Sequence, residues 1–108
     1  MIQTQGTPPI AIRPGDWQIV RAILQQWIPS HEVWAFGSRV KGTAKPFSDL
    51  DLAVIGDTPL ASDVFAALSE AFSESDLPWK VDIVDWARTG EAFRAIIARD
   101  KVVLQPRT

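Results

Sequence analysis

The residues of this chain that could do chemistry are concentrated in one stretch, where a Gly-Ser pair precedes two aspartates that alternate with leucines. Ten residues, 39 to 48, separate Ser38 from Asp49, and Asp51 follows one leucine later. Because successive side chains of a strand point to opposite faces, Asp49 and Asp51 would share a face. Their Cα atoms would lie about 7 Å apart, so both carboxylates could converge on one small cation. The pattern predicts a site for a divalent metal ion.

Two carboxylates held this close repel each other, and one takes up a proton unless a cation lies between them. Ligand sets made of oxygen alone suit Mg²⁺ or Mn²⁺, which take further ligands from water and substrate phosphates. Gly37 would let the backbone approach a phosphate, and the Ser38 hydroxyl and nearby backbone N–H groups would donate to it. A helical turn that begins after Ser38 would add the positive end of its dipole. We therefore predict that a nucleoside triphosphate completes the metal site.

The loop between the Gly-Ser pair and the aspartates is basic, although the whole chain has a net charge of −2. It contains Arg39, Lys41 and Lys45. Arg39 and Lys41 are predicted to bind the nucleotide, where their charge would offset that of a departing pyrophosphate. The alternative is that both belong to a solvated loop.

A displacement assisted by two metal ions needs a third carboxylate, because one ion must also activate the attacking hydroxyl. A later apolar segment offers Asp82 between Val81 and Ile83. Its parity matches that of the first acidic strand, with apolar side chains on one face and the acid on the other. Asp82 is therefore the predicted third ligand and the group that draws the proton from the acceptor. Asp85 has the opposite parity and is the weaker candidate.

Gly37-Ser38, Asp49-x-Asp51 and a later Asp82 in an apolar strand resemble the nucleotidyltransferase superfamily with the DNA polymerase β-type fold. The short length and the segments GSRVKG and SDLDLAVIG are most similar to its minimal nucleotidyltransferase branch. Many members of that branch are antitoxins paired with HEPN-domain toxins. The resemblance covers nearly the whole chain, and it implies triphosphate binding by the Gly-Ser pair and coordination of two Mg²⁺ ions by all three aspartates.

The resemblance further implies an enzyme that transfers AMP from ATP to a hydroxyl of a partner protein, as an antitoxin that neutralises a HEPN-family toxin by this AMPylation. The preference for ATP rests on the resemblance alone, since nothing in these residues reads a base. A second hypothesis is a non-catalytic module that neutralises its partner by occlusion. A third is a small-molecule nucleotidyltransferase, or a subunit of one, whose acceptor-binding domain belongs to another chain.

Composition favours a small cytosolic α/β domain. A length of 108 residues predicts one domain over residues 1–108. The absence of cysteine excludes disulfides and thiolate metal sites. The chain starts without the pattern of a signal peptide and has no apolar run that could span a membrane, so a cytoplasmic location without membrane contact is expected. Its net charge of −2 argues against direct binding of nucleic acid.

Hydrophobic periodicity predicts the order α-β-β-α-β-α followed by a short final strand. The predicted fold is α/β, of the α+β type: a small mixed sheet with helices packed on one face and the acids on the open face. Proline and glycine residues make 1–14 a predicted flexible or loosely packed arm, and Asp16, Thr58 and Thr89 are the predicted N-caps. The last helix is expected to turn three apolar side chains inward: Phe93, Ile96 and Ile97.

Two residue types outside the motif bear on function. His31 is the single histidine, and a zinc site built on it would lack partners, so it is predicted to be structural. The five tryptophans are a heavy aromatic load for so small a domain. Trp34 is expected in the core, whereas one or two exposed tryptophans would suit a partner surface.

Overall fold

A four-stranded mixed sheet lies at the centre of the computed structural model, which describes residues 8–108. The strands run in the order β3-β2-β1-β4 and are β1 (Glu32–Phe36), β2 (Leu50–Ile55), β3 (Val81–Asp85) and β4 (Val102–Gln105). β1 pairs antiparallel with β2 and β4, whereas β2 and β3 are parallel. The predicted class is confirmed, and β1, apolar on both faces, is central as its sequence predicts.

Two helices, α1 (Pro14–Trp27) and α3 (Ser62–Ser73), contribute to the main hydrophobic core on one face of the sheet. Their buried side chains recur at the helical period, as Leu24 follows Val20 in α1. The sheet adds every second side chain to this core: Val33, Ala35, Leu50, Leu52 and Val54. Because side chains alternate along a strand, Asp51 faces the opposite side.

The opposite face of the sheet carries a smaller apolar cluster together with the acids. The last helix, α4 (Glu91–Asp100), packs on this face through Ile97, which is buried with aromatic side chains of β1. This detail differs from the expectation that the helices cover one face. Asp51 is half-buried and Asp82 is exposed, so the acidic end of this face remains accessible.

Two of the predicted helix starts are displaced for identifiable reasons. α1 begins at Pro14 rather than with Asp16 as its cap, because the fixed φ of proline suits the first helical position. α3 begins only at Ser62, and Thr58 is not its cap. The Leu60 N–H donates to the Asp85 carboxylate at 3.0 Å, which holds the preceding segment as a loop.

The prediction for α4 is wrong in its cap and holds only in part for its inward face. Gly90 is the N-cap, and the Thr89 hydroxyl instead donates to a backbone carbonyl of the preceding turn. Ile97 is buried, whereas Phe93 and Ile96 are 42% and 46% exposed. Phe93 nevertheless packs edge-on against Phe36 of β1, with ring centroids 5.8 Å apart, so this ring is only partly open to solvent. Within residues 8–108, no helix combines the length and apolarity needed to cross a membrane.

The segment just before α1 is anchored, which corrects the prediction of a flexible arm for the part of 1–14 that the structure describes; residues 1–7 lie outside it. Ile10 is buried and Ile12 packs against the core. The Ala11 N–H donates to the carbonyl of Arg39, and its own carbonyl accepts from the Arg39 guanidinium. These bonds join residues far apart in the chain, so local composition could not indicate them.

Candidate functional site

Asp51 and Asp82 are brought side by side by the parallel pairing of β2 and β3. They are register partners, and such partners lie about 4.8 Å apart with their side chains on the same face. Asp49 is half-buried and lies directly before Leu50, where β2 begins. The parity predicted for Asp51 and Asp82 is present, while the metal-binding and catalytic roles of the three acids stay predictions.

The Gly-Ser turn lies against the same carboxylate. Gly37 has a φ of 84°, in the left-handed region, and a Cβ built on it would collide with Oδ2 of Asp51. The positive φ favours glycine, and any larger residue would also have to displace the Asp51 carboxylate. The short helix α2 (Ser38–Lys41) starts directly afterwards, one residue earlier than the turn considered after Ser38. Its first backbone N–H groups have no partner within the helix. Triphosphate binding by Gly37 and Ser38 stays a prediction.

The electrostatics of the acids set this end of the sheet apart. Burial raises the pKa of Asp51 above its ordinary value, and the negative charges of Asp82 and Asp49 raise it further. The two other acids are therefore close enough to Asp51 to repel its charge. Such a carboxylate gains from a proton or from a bound cation, and an all-oxygen donor set suits Mg²⁺ or Mn²⁺.

The three acids are a pair with a third carboxylate nearby, not a preformed metal centre. Among residues 8–108, no three Asp, Glu, His or Cys side chains already have a geometry that could hold a metal ion. Like charges favour separation in the absence of a cation, so the side chains would have to rotate toward a bound ion. In donor type and charge the residues fit a hard divalent cation.

Arg39 does not face the site as a free cation, so both predictions for it, phosphate ligand and solvated loop residue, are wrong. Its side chain is buried, and its guanidinium lies 4.6 Å from the centroid of the Trp79 ring. Its three nitrogens donate to four backbone carbonyls, those of Ala11, Lys45, Pro46 and Ser48. With every nitrogen engaged, no pair of donors is left for bidentate contact with a phosphate.

Lys41 keeps an exposed ammonium at the end of α2. Its Nζ lies 3.4 Å from Oδ2 of Asp100, the last residue of α4. An exposed pair of this kind is weak, so the ammonium can exchange to another anion. Nucleotide binding by Lys41 stays a prediction. No local pattern in the sequence indicates a role for Asp100, because its contact with Lys41 joins two distant elements.

Two further polar residues lie away from the acids. Asp85 is buried, as its opposite parity suggests. Its Oδ2 lies 3.7 Å from Nε of Arg88 and also accepts from the Leu60 N–H, so this carboxylate supports the structure. His31 lies just before β1, at the end opposite Gly37, and its buried Nδ1 finds no hydrogen-bond partner within the described residues.

The tryptophans divide as the sequence analysis expected. Trp34 is in the core, and Trp17 and Trp79 are also buried. Trp86 packs edge-on against Trp34 with ring centroids 5.1 Å apart. Trp27, the last residue of α1, is 39% exposed.

Comparison with known proteins identifies the family to which this chain is similar. The family described as "Nucleotidyltransferase domain" matches residues 18–105. A protein of Haemophilus influenzae named "Probable protein adenylyltransferase MntA" is 57% identical over 94 residues, which cover 87% of this chain and 82% of that protein.

Solved structures share the fold. One, a toxin–antitoxin with AMP-PNP, has a TM-score of 0.71 at 24% identity, covering 86% of this chain and 74% of the other. Another, a tri-AMPylated HEPN toxin of Shewanella oneidensis in complex with its MNT antitoxin, has a TM-score of 0.63 at 21% identity, covering 86% and 71%. The resemblance carried by the Gly-Ser pair and the aspartates is confirmed, and the chain belongs to the nucleotidyltransferase domain family.

Proposed function

We propose that this protein is a Mg²⁺-dependent nucleotidyltransferase that moves AMP from ATP to a hydroxyl of a HEPN-family partner protein and so acts as its antitoxin. The observation that carries the proposal is the register pair of Asp51 and Asp82, with the pKa of Asp51 raised by burial and by both other acids. Family membership supports the reaction class. The name of the Haemophilus relative supports adenylyl transfer to protein, and the toxin–antitoxin structures with the same fold support the partner.

In this proposal the side chains divide the work. Divalent cations held by the three carboxylates would offset the charge of the triphosphate and lower the pKa of the acceptor hydroxyl. Gly37 would contribute backbone N–H donation and Ser38 its hydroxyl to the triphosphate. Asp82 is exposed, whereas Asp49 and Asp51 are half-buried. Asp82 is therefore the acid that an incoming protein can reach, and we assign it the proton of the acceptor hydroxyl.

The proposed reaction is an in-line displacement at phosphorus. The acceptor oxygen forms a bond to the α-phosphorus of ATP while the bond from that phosphorus to the oxygen bridging to the β-phosphate breaks. Pyrophosphate leaves with its electron pair, and the hydroxyl proton passes to Asp82. In reactions of this type a protein contributes mainly through positioning and electrostatic stabilisation.

The test is transfer of label from [α-³²P]ATP to the partner encoded beside this chain. Wild-type protein should label the partner in a reaction that needs Mg²⁺ or Mn²⁺ and stops with EDTA. The double variant Asp49→Asn, Asp51→Asn should bind the partner without labelling it. Asp57→Asn is the matched control, because Asp57 is an exposed acid just beyond the opposite end of β2. Complex formation without any labelling by the wild-type protein would refute the proposal.

Occlusion of the partner without transfer is the second candidate, and the exposed apolar side chains favour it. Among residues 8–108, five large ones are exposed: Trp27, Phe47, Phe93, Ile96 and Val103. Such residues suit a protein interface whether or not chemistry follows. The two candidates separate in cells that express the toxin. If the double variant Asp49→Asn, Asp51→Asn still protects these cells, occlusion suffices; if protection is lost while the complex still forms, transfer is required.

A further inference from the structure

We infer that Arg39 is a positioning residue that fixes the loop 42–49. This loop carries Asp49 and leads directly into β2, which carries Asp51. This inference rests on the proposed function, because it assigns the arginine a task toward the same metal and nucleotide site. Arg39 does not touch the substrate in this assignment. It holds the backbone on which the acids are carried.

Four hydrogen bonds connect the guanidinium to two separate segments of chain. Nε of Arg39 donates to the Ser48 carbonyl at 2.9 Å, and Nη2 donates to the carbonyls of Lys45 and Pro46 at 3.3 and 3.1 Å. Nη1 donates to the Ala11 carbonyl at 2.9 Å. Three of the four acceptors therefore belong to the loop, and the last of them immediately precedes the first aspartate.

The loop has few supports of its own. Between α2 and β2 it forms neither helix nor strand. The Thr43 N–H bonds back to Ser38, and Lys45 and Ser48 bond to each other through backbone and hydroxyl groups. Phe47, near its middle, is 78% exposed, so burial of that ring does not hold the loop. The guanidinium is the main connection between the loop and the rest of the fold.

The flat face of the guanidinium extends this connection to the second acidic strand. It stacks 4.6 Å from the centroid of Trp79, a buried residue that comes shortly before the strand carrying Asp82. Burial lowers the pKa of Arg39, and the negative charges of Asp16 and Asp49 oppose that effect. A buried guanidinium is costly unless its donors are satisfied, and here three of the four acceptors belong to the backbone that leads into β2. The arginine thus joins the approaches to both acidic strands.

Arg39→Lys tests the assignment, since lysine keeps the charge but cannot donate to four carbonyls in a planar arrangement. Two readouts need no transfer activity. Chymotrypsin should cut after Phe47 about tenfold faster or more, because local opening of the loop becomes easier. Binding of a non-hydrolysable ATP analogue with Mn²⁺, measured by calorimetry with EDTA as the metal-free reference, should weaken about 10- to 100-fold, as for other residues that orient metal ligands.

Arg94 offers a matched control outside the loop. Its Nε and Nη2 donate to the Trp86 carbonyl at 3.0 and 2.7 Å, and its guanidinium lies 4.9 Å from the centroid of the Trp86 ring. Arg94→Lys removes a similar combination of backbone hydrogen bonding and ring stacking. It should lower the melting temperature without changing cleavage after Phe47 or binding of the Mn²⁺–nucleotide complex.

Hydrogen exchange on the wild-type protein covers the case in which Arg39→Lys does not fold. The backbone amides of Lys45 and Ser48 should be protected well beyond those of an open loop, and free exchange at both would overturn the inference. The inference would also be overturned if Arg39→Lys were cleaved after Phe47 at the wild-type rate and bound the Mn²⁺–nucleotide complex with wild-type affinity. Equal losses of nucleotide affinity in Arg39→Lys and Arg94→Lys would overturn it as well. Absence of Mn²⁺-dependent nucleotide binding by the wild-type protein would overturn the proposed function, and with it the task assigned to Arg39.

Discussion

Two charged groups near the acidic end of the sheet differ in whether the chain itself compensates their charge. Arg39 is 6% exposed, and its three nitrogens all donate to backbone carbonyls. Asp51 is half-buried, and its pKa is raised by that burial and further by its neighbours Asp82 and Asp49, which do not offset its charge. The arginine is satisfied by the chain itself, whereas the carboxylates gain from a positive group that comes from outside.

This difference distinguishes residues that hold the structure from residues that could bind a ligand, and it does so better than residue type. Buried charge destabilises a fold unless partners compensate for it, so a charge left uncompensated marks a candidate site for a ligand. By residue type, Arg39 and the aspartates looked equally suited to a nucleotide site. By their surroundings, the aspartates remain candidates and Arg39 belongs to the framework that holds them.

Loss of Asp82 should have the largest effect on the reaction. If this carboxylate takes the acceptor proton, Asp82→Asn lowers kcat about 100- to 1,000-fold. The KM for ATP should change far less, because the other two acids and the Gly-Ser turn still hold the nucleotide. The rate of partner labelling at several ATP concentrations measures both parameters. A rise in KM with kcat unchanged would instead make Asp82 a binding residue.

A methyl group at Gly37 should come next, because it acts on the Asp51 carboxylate directly. Gly37→Ala forces alanine into a φ of 84° and puts its Cβ against Oδ2 of Asp51. Displacement of the carboxylate should lower labelling of the partner about 100-fold. Gly42→Ala is the control, since Gly42 has a φ of 78° but nothing within 4 Å of a built Cβ. Both variants should lose about 1–3 kcal/mol of stability from backbone strain, and equal activity in the two would show that displacement of the Asp51 carboxylate does not matter.

Local sequence patterns were sufficient to predict features that depend on neighbouring residues alone. Alternation predicted the shared face of Asp51 and Asp82, and the apolar run of β1 predicted a central strand; both are present. The helical turn considered after Ser38 is present as α2, which begins one residue earlier, at Ser38 itself.

Long-range contacts account for what the sequence analysis missed. Arg39 reaches Ala11, and Asp85 reaches Leu60, whose bond delays α3 beyond Thr58. An arginine in the basic segment after the Gly-Ser pair has the same local sequence pattern whether it binds a phosphate or four carbonyls. Its role could therefore be assigned only once its partners were known.

A smaller effect is expected on stability when the charge of Asp51 is removed without metal present. The pKa of Asp51 is raised in the folded protein, so ionisation costs folding free energy as pH rises from the unfolded value, about 3.9, through the folded value. Asp51→Asn should therefore raise the melting temperature at pH 7 by about 2 °C or more. The gain should disappear below about pH 3, where the wild-type carboxyl is protonated in both states. Thermal unfolding in EDTA at both pH values measures this, and a melting temperature lowered at pH 7 would mean that the acids are compensated within the chain after all.

Lys41 is intermediate between Arg39 and Asp51, because its charge is partly compensated by the chain. Its replacement should have the smallest effect. Its ammonium is 3.4 Å from Oδ2 of Asp100, but the side chain is 48% exposed, so the chain compensates the charge only in part. Lys41→Gln should leave the melting temperature unchanged and raise the KM for ATP roughly threefold to tenfold, the effect of one charged hydrogen bond in an exposed place. Asp100→Asn is the complementary variant: it frees the ammonium and should leave the KM unchanged or lower it. A KM unchanged in Lys41→Gln would make this lysine a surface residue and leave the Gly-Ser turn as the phosphate contact.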